Sequence, residues 1–98
     1  MRRIVMLEKK RYTNGQEVYT YNENRLIYYY KSGKIKAEGP FESNQMEGEW
    51  RFYRESGQLC QIGNFQNGKK HGTWIRLNKE NQQEYNEEFI DGKIVKAK

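Results

Sequence analysis

Along most of the chain the apolar positions alternate with polar ones instead of recurring at helical spacing. Ile35, Ala37, Gly39 and Phe41 take every second place in one stretch. Leu59, Gln61, Gly63 and Phe65 do so in a second, and Gln83, Tyr85, Glu87 and Phe89 in a third. A period of two is the mark of a strand with two unlike faces. No window holds a sustained stripe at i, i+3 and i+4, so helices are not expected. The stretches also lie at one fixed offset. Gly57, Gly63, Phe65, Gly72 and Trp74 each stand 24 positions after Gly33, Gly39, Phe41, Gly48 and Trp50. Phe89, Asp91 and Gly92 stand at the same distance after Phe65, Asn67 and Gly68, which extends the series to a weakened third copy. The chain is a tandem repeat, expected to be all-β. Eight or nine strands are expected.

Turn chemistry punctuates the strands. Lys31-Ser32-Gly33-Lys34, Glu55-Ser56-Gly57-Gln58 and Lys79-Glu80-Asn81-Gln82 hold Gly, Gly and Asn at their third position. These residues adopt positive φ at least cost, so a tight turn is predicted in all three copies. Asn14-Gly15 is expected to supply both central residues of a type I′ hairpin between a first strand, Ile4 to Tyr12, and a return strand, Gln16 to Tyr21. Equating that turn with Asn67-Gly68 places an insertion in the first hairpin. A short last strand is expected over Lys93 to Val95, after Asp91-Gly92. The single domain, 1–98, thereby divides into an N-terminal hairpin or cap, 1–24, and repeats at 25–48, 49–72 and 73–96. Gly39 and Gly63 weaken their strands unless something needs the space, and a neighbouring Trp ring over bare backbone would use it. Glu87 stands at that place in the third copy, which predicts a capping unit with a more polar face.

Composition narrows the core. Of 98 residues only 35% are hydrophobic, yet eight Tyr, four Phe and two Trp are present, so rings must form most of the buried surface. The net charge of +5 is uneven. Residues 1–36 carry nine basic side chains against three acidic, 37–68 carry two against five, and 69–98 carry seven against five. Basic ends around an acidic middle are unlike the continuous basic surface of a nucleic-acid binder. One cysteine, Cys60, allows no internal disulfide and fits a reducing, cytoplasmic setting. The apolar run Ile4 to Leu7 is too short for a signal peptide, and no segment is long enough to span a bilayer.

Chemistry-bearing residues are sparse. One His, His71, and one Cys make a metal site of those ligands implausible, and no cofactor or metal is expected. His71 reads as a solvated hairpin residue and Cys60 as a small packed thiol. Glu87 and Glu88 are adjacent on a strand and point to opposite faces. Glu47 and Glu49 share a face at a hairpin end, where solvation explains them. No glycine cluster leads into a helix, so no phosphate loop is expected. An enzyme is not expected. The group Tyr28, Tyr29 and Tyr30 stands apart, because consecutive strand residues cannot all be buried in a single-layer sheet.

The residues Gly48-Glu49-Trp50-Arg51-Phe52-Tyr53, Gly57 and Asn67-Gly68-Lys69-Lys70-His71-Gly72-Thr73-Trp74 resemble the MORN repeat, in particular its bacterial, antitoxin-like variant. The likeness spans about residues 24 to 93 and implies an antiparallel meander of two-stranded units forming one elongated, twisted sheet that serves as a scaffold or binding module. The departures are Leu26 for the first Trp, Asn44-Gln45 for the Asn-Gly pair, and Arg76 with Leu77 for the third aromatic pair. The function expected is that of a non-catalytic protein-binding module, an antitoxin, immunity protein or effector inhibitor of bacterial or phage origin. Its partner would be a protein such as a toxin or nuclease. Tyr28, Tyr30, Trp50 and Phe52 are expected to line one side as the binding face, with Glu47 and Glu49 contributing to an acidic belt able to meet a basic groove. The alternative partners are anionic lipid or nucleic acid, reached through Arg2, Arg3, Lys9, Lys10, Arg11, Lys93, Lys96 and Lys98.

Overall fold

A computed structural model describes residues 11–97. The strand expected from Ile4 lies mostly outside the described residues, as do Arg2, Arg3, Lys9, Lys10 and Lys98. Ten strands are present among those described: β1 (Tyr19–Asn22), β2 (Arg25–Tyr29), β3 (Ile35–Glu42), β4 (Gln45–Met46), β5 (Gly48–Tyr53), β6 (Leu59–Gln66), β7 (Lys69–Lys70), β8 (Gly72–Leu77), β9 (Gln83–Ile90) and β10 (Lys93–Ala97). They form one antiparallel sheet in the order β1-β2-β3-β5-β6-β8-β9-β10, with β4 paired to β3 and β7 paired to β6. The count exceeds the eight or nine expected through these two-residue arms, which are too short to show a period. The last strand also runs two residues further than expected, to Ala97. The described residues contain no helix, hence none long and apolar enough to cross a membrane.

Two kinds of turn alternate along the meander. In the first, Gly33 donates to Tyr30 O at 2.9 Å while Tyr30 donates to Lys34 O at 2.8 Å, with Gly33 at φ +94. Arg54 to Gln58 and Asn78 to Gln82 repeat the pattern, with Gly57 at φ +97 and Asn81 at φ +65. Positive φ at the third turn position is therefore kept by Asn where Gly has been lost. The first hairpin belongs to this class too: Gly15 donates to Tyr12 O and Tyr12 to Gln16 O, at 2.9 and 2.7 Å. Gly15 has positive φ and Asn14 does not. The expected type I′ turn at Asn14-Gly15 is thus corrected, because the Asn14 side chain instead accepts from the Gln16 N–H at 3.0 Å.

Paired positive φ values occur in the second kind of turn, at Glu23-Asn24, Ser43-Asn44, Asn67-Gly68 and Asp91-Gly92. Ser43-Asn44, not Asn44-Gln45, therefore occupies the Asn-Gly position of the second unit. The first unit lacks an insertion as well. Its turn at Glu23-Asn24 joins β1 directly to β2, with no arm corresponding to β4 or β7.

Cross-strand partners share a face. Tyr19, Tyr28, Ala37, Phe52, Gln61, Arg76 and Tyr85 form one row across seven strands. On the same side run Tyr21, Leu26 and Gly39, then Trp50 opposite Gly63, then Trp74 opposite Glu87. Thr20, Ile27, Glu38, Arg51, Ile62, Ile75 and Asn86 form the row of the other face. Simple alternation fails at the start of each second strand. Register shifts set Tyr29 opposite Ile35, Tyr53 opposite Leu59 and Leu77 opposite Gln83, so these do not continue the file of Ala37, Gln61 and Tyr85.

The core lies on the ring face. Leu26, Ala37, Phe41 and Trp50 are buried together, with Tyr19, Tyr28, Met46, Phe52 and Phe65 packed against them. Trp50 is buried on a single sheet by Gly39 beneath it and by the rings of Tyr28, Phe52 and Phe65 around it. β4 brings in Met46, and β7 sets the Lys70 ammonium 4.5 Å from the Trp74 ring centroid and 4.9 Å from that of Phe89. Gly39 and Gly63 lie directly under Trp50 and Trp74, as expected, and a β-carbon at either would overlap the indole. Each indole N–H donates to a backbone carbonyl beside that glycine, Trp50 to Pro40 O at 2.8 Å and Trp74 to Asn64 O at 2.9 Å.

Candidate functional site

The ring face is a continuous relay of aromatic contacts. Tyr28 lies 6.4 Å from Trp50, Trp50 lies 6.3 Å from Phe52, and Phe52 lies 5.8 Å from Trp74 between ring centroids. Phe65 closes edge-on against both indoles, at 6.2 and 5.1 Å, and Phe89 ends the file 6.3 Å from Trp74. These distances are those of favourable tilted and T-shaped pairs. The indoles form the floor. Half-buried Tyr28 and Phe52 stand over them, and Tyr21, 40% exposed, extends the rings towards the first hairpin. Burial is the first cause that holds the Tyr28 hydroxyl above its ordinary pKa, with Tyr19 nearby as the second.

Of the residues expected to bind, the structure brings Tyr28, Trp50 and Phe52 together. Trp50 is fully buried, so it supports the surface without being part of it. Tyr30 lies beyond the end of β2, and its hydroxyl donates to Tyr53 O at 2.7 Å, tying the first turn of one unit to the strand end of the next. Lys36 holds its ammonium 5.8 Å from the Tyr30 ring centroid. Burial, followed by the charge of Cys60 and of Glu55, raises the Tyr30 pKa.

The two glutamates have separate tasks. Both Glu47 oxygens accept from the Asn67 N–H, at 3.1 and 3.0 Å, which pins the turn of the following unit. Glu49 pairs with Arg51 at 3.1 Å on the face away from the rings, and both side chains are about half exposed. That opposite face also holds Glu38, which pairs with Arg25 at 3.3 Å and accepts from the Tyr53 hydroxyl at 2.6 Å. Desolvation and this bond to Glu38 raise the Tyr53 pKa. His71, at the place of Glu47 one unit later, is half-buried, not fully solvated, and its Nδ1 has no hydrogen-bond partner.

Among the described residues no group of three or more His, Cys, Asp or Glu side chains is arranged to hold a metal ion. Two features escaped sequence reasoning. One is the tether from Glu47 to Asn67, for which the 24-residue offset gave no signal because His71 replaces the carboxylate. The other is a cleft at the third unit, lined by Arg54, Arg76, Asn78, Lys79, Glu80 and Glu84. The signal was there to find, since Arg54 and Arg76 stand 24 positions after Tyr30 and Phe52.

Comparison with curated proteins and with solved structures finds no match. The family model of the MORN repeat variant matches at residues 23–43 and again at 46–67. The first match runs from the turn at Glu23 through β2 and β3, the second from β4 through β5 and β6 to Asn67, so each takes in one pair of long antiparallel strands. These two stretches are thus similar to successive copies of the MORN repeat variant, and Trp50 and Phe52 lie within the second.

Proposed function

We propose that this protein is a non-catalytic binding module that takes a protein partner on its ring face, in the manner of an antitoxin, immunity protein or other effector inhibitor of bacterial or phage origin, acting in the cytoplasm. The observation that carries this reading is the half-buried pair Tyr28 and Phe52 beside buried indoles. Rings fixed in this way lose little conformational entropy on binding, and aromatic anchors commonly dominate interface energetics. A sheet that spends its largest side chains on one face while stabilising the other with ion pairs has a natural polarity for docking.

The test is site-specific photo-crosslinking with the captured partner. Benzoylphenylalanine at position 52, on the ring face, is expected to crosslink. The same group in place of exposed Thr73, which opposes Glu88 on the other face, is expected not to. Crosslinking from Thr73 alone would move the site to the opposite face. Flotation with anionic liposomes and a gel shift with nucleic acid serve as the competing arms. Retention in either without any protein partner overturns the proposal.

A further inference from the structure

The ring row changes chemistry at the third unit. Tyr28 and Phe52 occupy equivalent positions in successive units, and the next equivalent is Arg76. Tyr30 likewise gives way to Arg54 one unit later. Both substitutions reach one place: Arg54 and Arg76 line a cleft of about 460 Å³ together with Asn78, Lys79, Glu80 and Glu84. Gln61 lies between Phe52 and Arg76 in the same row, so the cleft continues the face that carries the rings.

Arg54 is held firmly. Its Nη2 donates to Leu77 O at 3.0 Å, the bond that the Tyr30 hydroxyl makes to Tyr53 O in the preceding unit. A tyrosine hydroxyl needs nothing more once that bond is made, whereas a guanidinium brings five donors. Its Nε is shielded from solvent and has no acceptor. A buried donor without a partner costs free energy that an incoming acceptor recovers. Arg76 is partly satisfied already, through Nε to Glu84 at 3.2 Å.

Charge decides the ligand. Arg54, Arg76 and Lys79 face two carboxylates, Glu80 and Glu84, which leaves one uncompensated positive charge. A single carboxylate neutralises it, whereas a phosphate dianion would overshoot and meet the two glutamates. We infer that this cleft binds one carboxylate group, supplied by an Asp or Glu side chain or by the C-terminus of the protein that docks on the ring face. The inference rests on the protein-partner reading for its source, and on the cleft alone for its chemistry.

The probe is N-acetyltryptophan, which carries one carboxylate, titrated into the isotope-labelled protein while the arginine Nε–H resonances are followed. Saturable shifts of Arg54 and Arg76 are expected. N-acetyltryptophanamide, which lacks the charge, should bind about ten-fold more weakly or worse. Phenyl phosphate should also bind more weakly than the carboxylate. Lys79→Gln and Arg76→Gln, neither of which donates to Leu77 O, are expected to lose most of the affinity at an unchanged thermal midpoint. Arg54→Gln should lose it as well, with its midpoint recorded alongside.

An absence of shifts at up to about 20 mM probe, equal binding of the amide, or tighter binding of phenyl phosphate would each overturn the carboxylate assignment. Because the titration uses no partner, such a failure leaves the ring-face reading standing. Conversely, a cleft that binds the probe while crosslinking from position 52 fails would separate the two. Where binding holds, peptides ending in a free carboxylate, compared with amidated peptides carrying Asp or Glu inside the chain, tell the two sources apart.

Discussion

The indole of Trp74 occupies the space that a β-carbon on Gly63 would need. The same relation holds between Trp50 and Gly39, one repeat earlier. Contact between ring and bare backbone is the joint between successive units, since each Trp enters on one pair of strands and rests on the strand before it. Gly63→Ala is expected to destabilise the fold by about 1 to 3 kcal/mol, as overpacking does where backbone cannot yield. Urea denaturation of the variant measures this directly. An unchanged midpoint would mean that the ring does not lie over Gly63.

Trp50 tests the same joint from the other side. Trp50→Ala removes the largest of the fully buried side chains and should cost about 3 to 5 kcal/mol. Trp50→Phe keeps a ring but removes the indole donor to Pro40 O, which still accepts from the Glu47 N–H at 3.1 Å, and should cost about 0.5 to 1.5 kcal/mol. A small domain has little reserve against the first change. Were the two variants equally stable, the hydrogen bond from the indole to Pro40 would carry the whole effect and the packing none.

Much of this joint was legible in the sequence, and the reason is steric. Only Gly admits a ring onto the strand backbone, so Gly39 and Gly63 announce Trp50 and Trp74 from the spacing alone. The turns were harder to read. Asn14-Gly15 and Asn67-Gly68 are the same dipeptide in different geometries, distinguished by side-chain bonds such as Asn14 to Gln16 N–H that a dipeptide does not encode. Ser43-Asn44 carries no glycine and was displaced by one residue in sequence reasoning. The core also draws on Met46, carried by an arm of two residues that is too short to show periodicity. For the ring face, parity placed Tyr28, Trp50 and Phe52 on one side, as the strand registers show. It could not reveal that Tyr30 is tied to the next unit, because that bond crosses 23 residues.

Glu47 offers a local test of how units hold one another. With both its oxygens on the Asn67 N–H, Glu47→Ala should free that turn, cost about 0.5 to 1.5 kcal/mol, and speed hydrogen exchange at the Asn67 amide. Exchange at Asn67 that stays as slow as in the parent would show that the carboxylate does not protect this amide.

Alkaline pH should loosen the sheet. The hydroxyls of Tyr28, Tyr30 and Tyr53 are all held above the ordinary value of 10.0, burial being the first cause in each. A group whose folded pKa is raised stabilises the fold fully below its unfolded pKa. That contribution is lost as pH rises through the folded value, because the unfolded chain ionises first. Thermal midpoints are therefore expected to hold up to about pH 9 and to fall beyond about pH 10. Tyr53→Phe should show a shallower fall than the parent, having removed one of the three groups. An equal fall in both would assign the alkaline transition elsewhere.

The binding face yields the last prediction, which depends on separating contact from support. Tyr28 is half-buried, and its ring leans on Trp50 without carrying the sheet, so Tyr28→Ala should weaken partner binding by about 1 to 3 kcal/mol while the fold persists. Tyr30 has the opposite balance. Its hydroxyl secures Tyr53 O, so Tyr30→Phe should cost about 0.5 to 1.5 kcal/mol of stability and leave affinity nearly unchanged. Titrating each variant against the captured partner, with thermal midpoints recorded in parallel, resolves the two effects. If affinity is retained in Tyr28→Ala, or falls only in step with unfolding, the tyrosine is part of the scaffold and the partner rests elsewhere. If Tyr30→Phe loses affinity at an unchanged midpoint, the contact surface reaches past the strand end, towards the turn between β2 and β3.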